Sequence, residues 1–202
     1  MQEQLEFLLA GGGANPTPSL QIKNFRVHPV AWSSLVPILE GFHYRKGWIG
    51  GSIKVCLGLY SPDELIGGAV FGDAWHSETY AEPGRVITEL RRLVLIDAAP
   101  KNSESYFIGK AAWWLKKNTK YNRILSYSDI SQGHHGTIYK ASGFKLVGQT
   151  AGGTKIVHDG RTFHARSLTI ERDYAKKLAE AIKSGQAEKV KTGVKNIWLK
   201  DL

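Results

Sequence analysis

A chain of 202 residues, 42% hydrophobic and 22% charged, is long enough for one domain with a sizeable core and too apolar for a disordered segment. Its single cysteine, Cys56, excludes a disulfide framework and a cysteine zinc cluster, and within the apolar run 53–57 it reads as a buried small hydrophobe. A formal net charge of +9 favours polyanionic partners; no apolar run reaches the roughly 20 residues that span a bilayer, and Glu3 and Glu6 stand where a secretory signal would be basic, so a cytoplasmic protein without a membrane partner is expected.

Residues 1–19 read as a short amphipathic segment followed by a flexible linker of small and turn-forming residues over 10–18. The folded domain is expected from Leu20. Alternation over 21–27 predicts a strand. Leu35, Ile38, Leu39 and Phe42 have helical spacing and predict a helix over 31–44. A loop over 47–51 follows. Strands are expected over 53–60 and 64–71, joined by the turn Ser61-Pro62-Asp63. After a polar loop at 75–84 comes the strongest strand, 86–97, with Ile87, Leu90, Leu93, Val94 and Leu95. A helix over 103–118 takes Asn102 or Ser103 as its N-cap. Then come a strand over 123–128, a short helix over 134–142 stopped by Gly143, and strands over 144–149 and 163–170. Strands interleaved with helices predict an α/β fold with a mixed sheet over 20–170. Residues 171–202 are rich in Lys and Ala, with eight basic residues against five acidic ones. They read as a basic helical extension, either a solvated helix or an arm that grips phosphates.

Five segments carry residues suited to chemistry. In 127–136, Asp129 stands at a strand end, where ligands collect in open α/β sheets, and two glycines flank His134 and His135. Asp129 can equally cap the short helix that follows. Phe42-His43-Tyr44 closes the first helix. Glu89-Leu90-Arg91-Arg92-Leu93 places charges inside an apolar strand, where they pair with one another or line a site; regular alternation puts Glu89 and Arg91 on one face and Arg92 on the other. Lys101, Asn102, Ser103 and Ser105 gather at a helix N-terminus, which suits a phosphate. The fifth segment, Thr137-Ile138-Tyr139-Lys140-Ala141-Ser142-Gly143-Phe144, joins a short helix to a strand through Gly143.

That last segment resembles the final block of the GCN5-related N-acetyltransferases, an aliphatic residue and Tyr followed by charged residues, Gly and Phe. The resemblance implies a mixed sheet flanked by helices and makes Tyr139 the general acid. The glycine-rich loop with which that family binds the coenzyme A pyrophosphate corresponds to 100–105 here, which has no glycine until Gly109. Taken together, His43-Tyr44, Glu89 to Leu93, Pro100 to Ser105, Asp129 and Gly133 to Phe144 resemble the phage Mom proteins over residues 22–170. The resemblance implies an enzyme of the host cytoplasm that places a carbamoylmethyl group on adenine N6 of double-stranded DNA and so blocks restriction.

Acetyl transfer alone cannot give that product, which holds a second nitrogen. Two donors are candidates, acetyl-coenzyme A and glycyl-tRNA. With the latter, a glycyl amide formed at N6 rearranges through a five-membered ring. Asp129 is then the first base, with His43 and His134 as alternates. Tyr44, Trp48 and Trp75 would stack on a flipped base, and Arg45, Lys46, Arg91 and Arg92 would position phosphates. Trp113 and Trp114 read as core and surface residues of their helix. No metal is expected; an iron site of His43, Asp129 and His134 ranks below acyl transfer. Two rivals stay open: a conventional N-acetyltransferase acting on a protein or small molecule, and a non-catalytic DNA-binding protein.

Overall fold

The computed structural model describes residues 20–43, 52–62, 64–74, 80, 82–169 and 171–202. Residues 22–24 form a 3-10 turn, and strand β1 is confined to Arg26–Pro29, so the sequence expectation of a strand from 21 is shortened. The alternation of 21–24 comes from this turn, whose Phe25 amide bonds to the Ile22 carbonyl.

Helix α1, Trp32–Phe42, leads to the meander β2 (Ile53–Ser61), β3 (Glu64–Asp73) and β4 (Ile87–Leu95). Helix α2, Ser103–Asn118, crosses back to β5, Arg123–Asp129. After a 3-10 turn at Ile130–Gln132 come α3 (Thr137–Ala141) and β6 (Lys145–Gln149). Among the described residues the main sheet has seven strands in the order β1-β2-β3-β4-β5-β10-β6, where β10 is Lys195–Asp201, with β4 and β5 parallel.

Helices cover both faces. Leu35, Ile38 and Leu39 of α1 pack on Cys56, Val70 and Val94. Phe107, Ile108, Ala111, Ala112 and Leu115 of α2 pack on Leu57, Leu59, Phe71, Leu90 and Ile124. Alternation along β2 makes this possible, with Cys56 facing one layer and Leu57 the other. Cys56 is the buried hydrophobe expected, and burial pushes its thiol pKa up.

The C-terminal quarter departs from the sequence reading. Only Asp173–Lys183 of the expected basic helical extension is helix (α4). It buries Ala175, Leu178 and Ala181 against a second sheet ordered β8-β7-β9, made of Gly153–His158 (β7), Arg161–His164 (β8) and Ala187–Thr192 (β9). Residues 165–168 are a 3-10 turn, so the strand expected over 163–170 ends at His164. Strand β10, Lys195–Asp201, inserts between β5 and β6 and pairs antiparallel with both. The reason is burial: Ile197 and Trp198, 8% and 1% exposed, face opposite layers, and an exposed helix could not bury both.

Candidate active site in the cleft between β4 and β5

Strands β4 and β5 pair only from Ile87↔Arg123 to Leu90↔Ser126. Beyond that point they part, and the cleft between them is lined by Glu89, Leu90, Arg91, Arg92, Tyr127, Asp129 and Lys195. Four consecutive residues of one strand line it because β4 is bulged. Arg92 pairs with Val70 and Leu90 with Phe71, so Arg91 is the inserted residue. This corrects the expectation that Arg91 and Arg92 take opposite faces: the bulge breaks the two-residue period and turns both arginines toward the opening. It also lets Leu90 and Leu93, an odd number of residues apart, reach the same core cluster.

Arg91 is anchored. Its Nη2 donates to the Asp73 carbonyl at 2.6 Å, and Gly72 makes room, since a Cβ there would lie 2.7 Å from Arg91 Nε. The Asp73 carboxyl, hydrogen-bonded by the Ser52 hydroxyl and flanked by Lys54 and Arg91, is held below its ordinary pKa. Arg92 donates from Nη1 to the Arg91 carbonyl at 2.8 Å.

On the other wall, Asp129 Oδ1 accepts from the Ser131 amide at 3.1 Å and the Ser131 hydroxyl at 2.5 Å, capping the 3-10 turn. Lys195 is Asp129's cross-strand partner and Ile197 is Tyr127's. Directly paired residues share a face, which places Lys195 beside the carboxylate. The Tyr127 phenol is pushed up to about 12, first by burial and then by the Glu89 and Tyr80 charges. It therefore keeps its proton throughout the neutral range.

The sequence-predicted residues do not all converge. Asp129, Arg91 and Arg92 line the cleft together. Tyr139 lies on the opposite face of β5, 9% exposed, where its hydroxyl shares a 2.9 Å hydrogen bond with Ser126 Oγ. Ser126 also donates to the Leu90 carbonyl at 3.1 Å, so this network sits where the strands part. Trp198 stacks on Tyr139 at 5.8 Å, and its Nε1 donates to Ser128 Oγ at 2.9 Å.

His134 and His135 are exposed just past the turn, with the His134 amide 3.2 Å from the Asp129 carbonyl. His43 caps α1 through its amide. Among the described residues no three His, Cys, Asp or Glu side chains come together to hold a metal, so His43, Asp129 and His134 do not form the iron triad. Tyr44, Arg45, Lys46, Trp48 and Trp75 lie outside the described residues.

At the start of α2, Asn102 takes the left-handed conformation, φ 74°, that a glycine would otherwise supply. Lys101 and Asn102 are exposed there. Ser103 is fully buried, its hydroxyl and amide both donating to the Pro100 carbonyl, at 2.7 and 3.1 Å, so it offers no surface to a ligand. Ser105 donates to the Asn102 carbonyl at 3.0 Å. Sequence reasoning missed Lys195 and Tyr127 as cleft residues. Tyr127 was two residues from Asp129 and so on its face; nothing local marked Lys195.

The parted strands, the bulged β4 and the helix that follows it are the fold of the GCN5-related acetyltransferases. A Bacillus subtilis acetyltransferase in complex with CoA matches over 88% of this chain and 99% of its own, with a TM-score of 0.51 at 14% identity. The Arabidopsis thaliana NAA60 in complex with acetyl-CoA matches over 88% and 99%, with a TM-score of 0.55 at 9% identity. Within that fold the chain belongs to the Mom protein family, whose model matches residues 24–196. The methylcarbamoylase Mom of Escherichia phage Mu is 27% identical over 148 residues, which are 70% of this chain and 61% of that protein. The chain thus spans about three-fifths of this curated relative.

Proposed function

We propose that the chain transfers an acyl-derived group to adenine N6 in double-stranded DNA, at the cleft where β4 and β5 part, and so shields the DNA from restriction. The observation that carries this reading is the set Asp129, Tyr127, Lys195 and Arg92 around one opening, in a chain of the Mom family. Adenine N6 is a weak nucleophile, and Asp129 accepts its proton as the carbon–nitrogen bond forms. Lys195 and Arg92 stabilise the oxyanion that develops on the donor carbonyl. The neutral Tyr127 phenol donates a hydrogen bond to the same oxygen. Tyr139, packed beneath, holds β5 through Ser126. The target base leaves the duplex to reach the cleft.

An activated acyl ester serves as donor. With glycyl-tRNA the atoms balance for a carbamoylmethyl product. N6 displaces the tRNA oxygen, and the new amide's free amine attacks C6. The C6–N6 bond then breaks, leaving the original N6 as the carboxamide nitrogen. Acetyl-coenzyme A, bound by proteins of the same fold, would give an N6-acetyl product instead.

The test is nucleoside mass spectrometry of plasmid DNA from bacteria expressing the chain. A carbamoylmethyl deoxyadenosine is expected with the native protein, reduced about a hundredfold or more by Asp129→Asn, which keeps an oxygen to cap Ser131. Unmodified DNA with soluble native protein overturns the proposal, and an N6-acetyl product moves the donor to acetyl-coenzyme A. Full modification by Asp129→Asn would reduce Asp129 to a cap.

A further inference from the structure

A second groove lies at the other end of the main sheet, between the edge strand β1 and α2, lined by Phe25, Arg26 and His28 on one side and Tyr106, Lys110 and Trp113 on the other. Three strand spacings, roughly 14 Å, separate β1 from β4, so its occupant would run beside the cleft rather than fill it.

Its helix wall alternates in chemistry. Tyr106, Lys110, Trp113 and Lys117 fall at i, i+4, i+7 and i+11, one stripe about 16 Å long. Lys110 Nζ sits 5.5 Å from the centre of the Tyr106 ring, and Lys117 Nζ 4.4 Å from that of Trp113. Tyr106 is fixed by its hydroxyl, which donates to the Phe25 carbonyl at 3.1 Å, and by edge contact with the Phe25 ring. Trp113 is 56% exposed, a large area to leave in water without a partner. Arg26 and His28 are exposed on the facing strand, and none of the described residues lining the groove is acidic.

We infer that this groove binds a single-stranded DNA segment, its bases stacked on Tyr106 and Trp113 and its phosphates held by Lys110 and Lys117. Alternating rings and cations suit unpaired nucleotides, because a paired base hides its faces inside the stack and a protein partner would need carboxylates to meet the lysines. The choice of DNA rests on the proposed function, whereas binding of an unpaired strand rests on the groove alone.

The test is fluorescence anisotropy of the full chain with labelled oligothymidylate, oligouridylate and a DNA duplex. Oligothymidylate binding is expected, weakened about five- to a hundredfold by Trp113→Ala and restored toward native by Trp113→Phe. Lys110→Ala should flatten the salt dependence by about 0.7 in log–log slope. Melting temperature checks that each variant folds. No binding by the native chain, or equal affinity for Trp113→Ala, overturns the inference; clearly tighter oligouridylate binding overturns the assignment to DNA. Plasmid modification is read separately. Trp113-dependent binding with unmodified plasmid sinks the proposed function alone, and modification without Trp113-dependent binding sinks the groove alone.

Discussion

Gly136 holds φ at 82°, and a Cβ built on it would lie 2.1 Å from Cζ2 of Trp198. Both constraints act at once: the backbone conformation disfavours any L side chain, and the indole fills the space one would need. Trp198 in turn carries Ser128 on its Nε1 and Tyr139 on its face, so strain at Gly136 passes into the floor of the cleft. Gly136→Ala is expected to cost about 2–4 kcal/mol, read as a lower midpoint in urea unfolding with an unchanged slope. A loss under about 0.5 kcal/mol would mean that the indole moves freely and does not set the position of Tyr139. Among the carboxyls, Asp129 shows why a local signal can serve two readings. One of its oxygens caps Ser131, as a strand-end aspartate often does, while the same residue lines an opening beside Lys195.

Strand β10, set between β5 and β6, carries one end of an ion-pair network. Arg123, 5% exposed in its side chain, donates to Asp201 at 2.6 Å and to Glu82 at 2.9 Å. Both carboxyls are held below their ordinary pKa, chiefly by hydrogen bonds from Arg123. A depressed carboxyl pKa in the folded state contributes stability that is present above the unfolded value, near 4, and is lost as pH falls through the folded one. The chain should therefore lose stability between about pH 5 and 3. Asp201→Asn should lower stability at pH 7 by about 1 kcal/mol, since Asp201 is 52% exposed and solvent screens the pair. It should also reduce the acid slope, measured by thermal melts across that range. An acid profile identical to the native one would mean that the pair does not tie β10 to β5.

Across the whole molecule, positive charge leads toward the cleft. Lys189 and Lys191 are exposed on β9, and the chain then turns at Gly193, close against Ser131, into Lys195 at the cleft. If duplex DNA lies along this path with about four to six phosphate contacts, log affinity should fall against log salt with a slope of about −4 to −5. Replacing both Lys189 and Lys191 with Ala should make the slope shallower by about two. A native slope near zero would remove the electrostatic basis for the DNA reading. No helix among the described residues is long and apolar enough to cross a membrane.

Local chemistry alone determined much of this. The period of α2, the apolar run of β4, the turn at Gly143 and the order from β2 to β6 follow from side-chain spacing and backbone preference within a few residues, and these were legible. So was the position of Asp129 at a strand end. The Asp159-Gly160 turn, both residues at positive φ, joined β7 to β8 and was a hairpin signal that the sequence reading passed over. What only the tertiary structure decided is non-local. Residues 195–201 became a central strand because β5 and β6 offered hydrogen bonds on both edges and core on both faces. Arg91 became a bulge because β3 and β4 hold different numbers of residues over the same span. Tyr139 and Asp129 fell on opposite faces of β5 because Trp198 filled the space beside one and Lys195 lay beside the other. Contacts between residues 60 or more positions apart leave no mark on the periodicity of either segment, so the place of Lys195 beside Asp129 could not be read until the chain was folded.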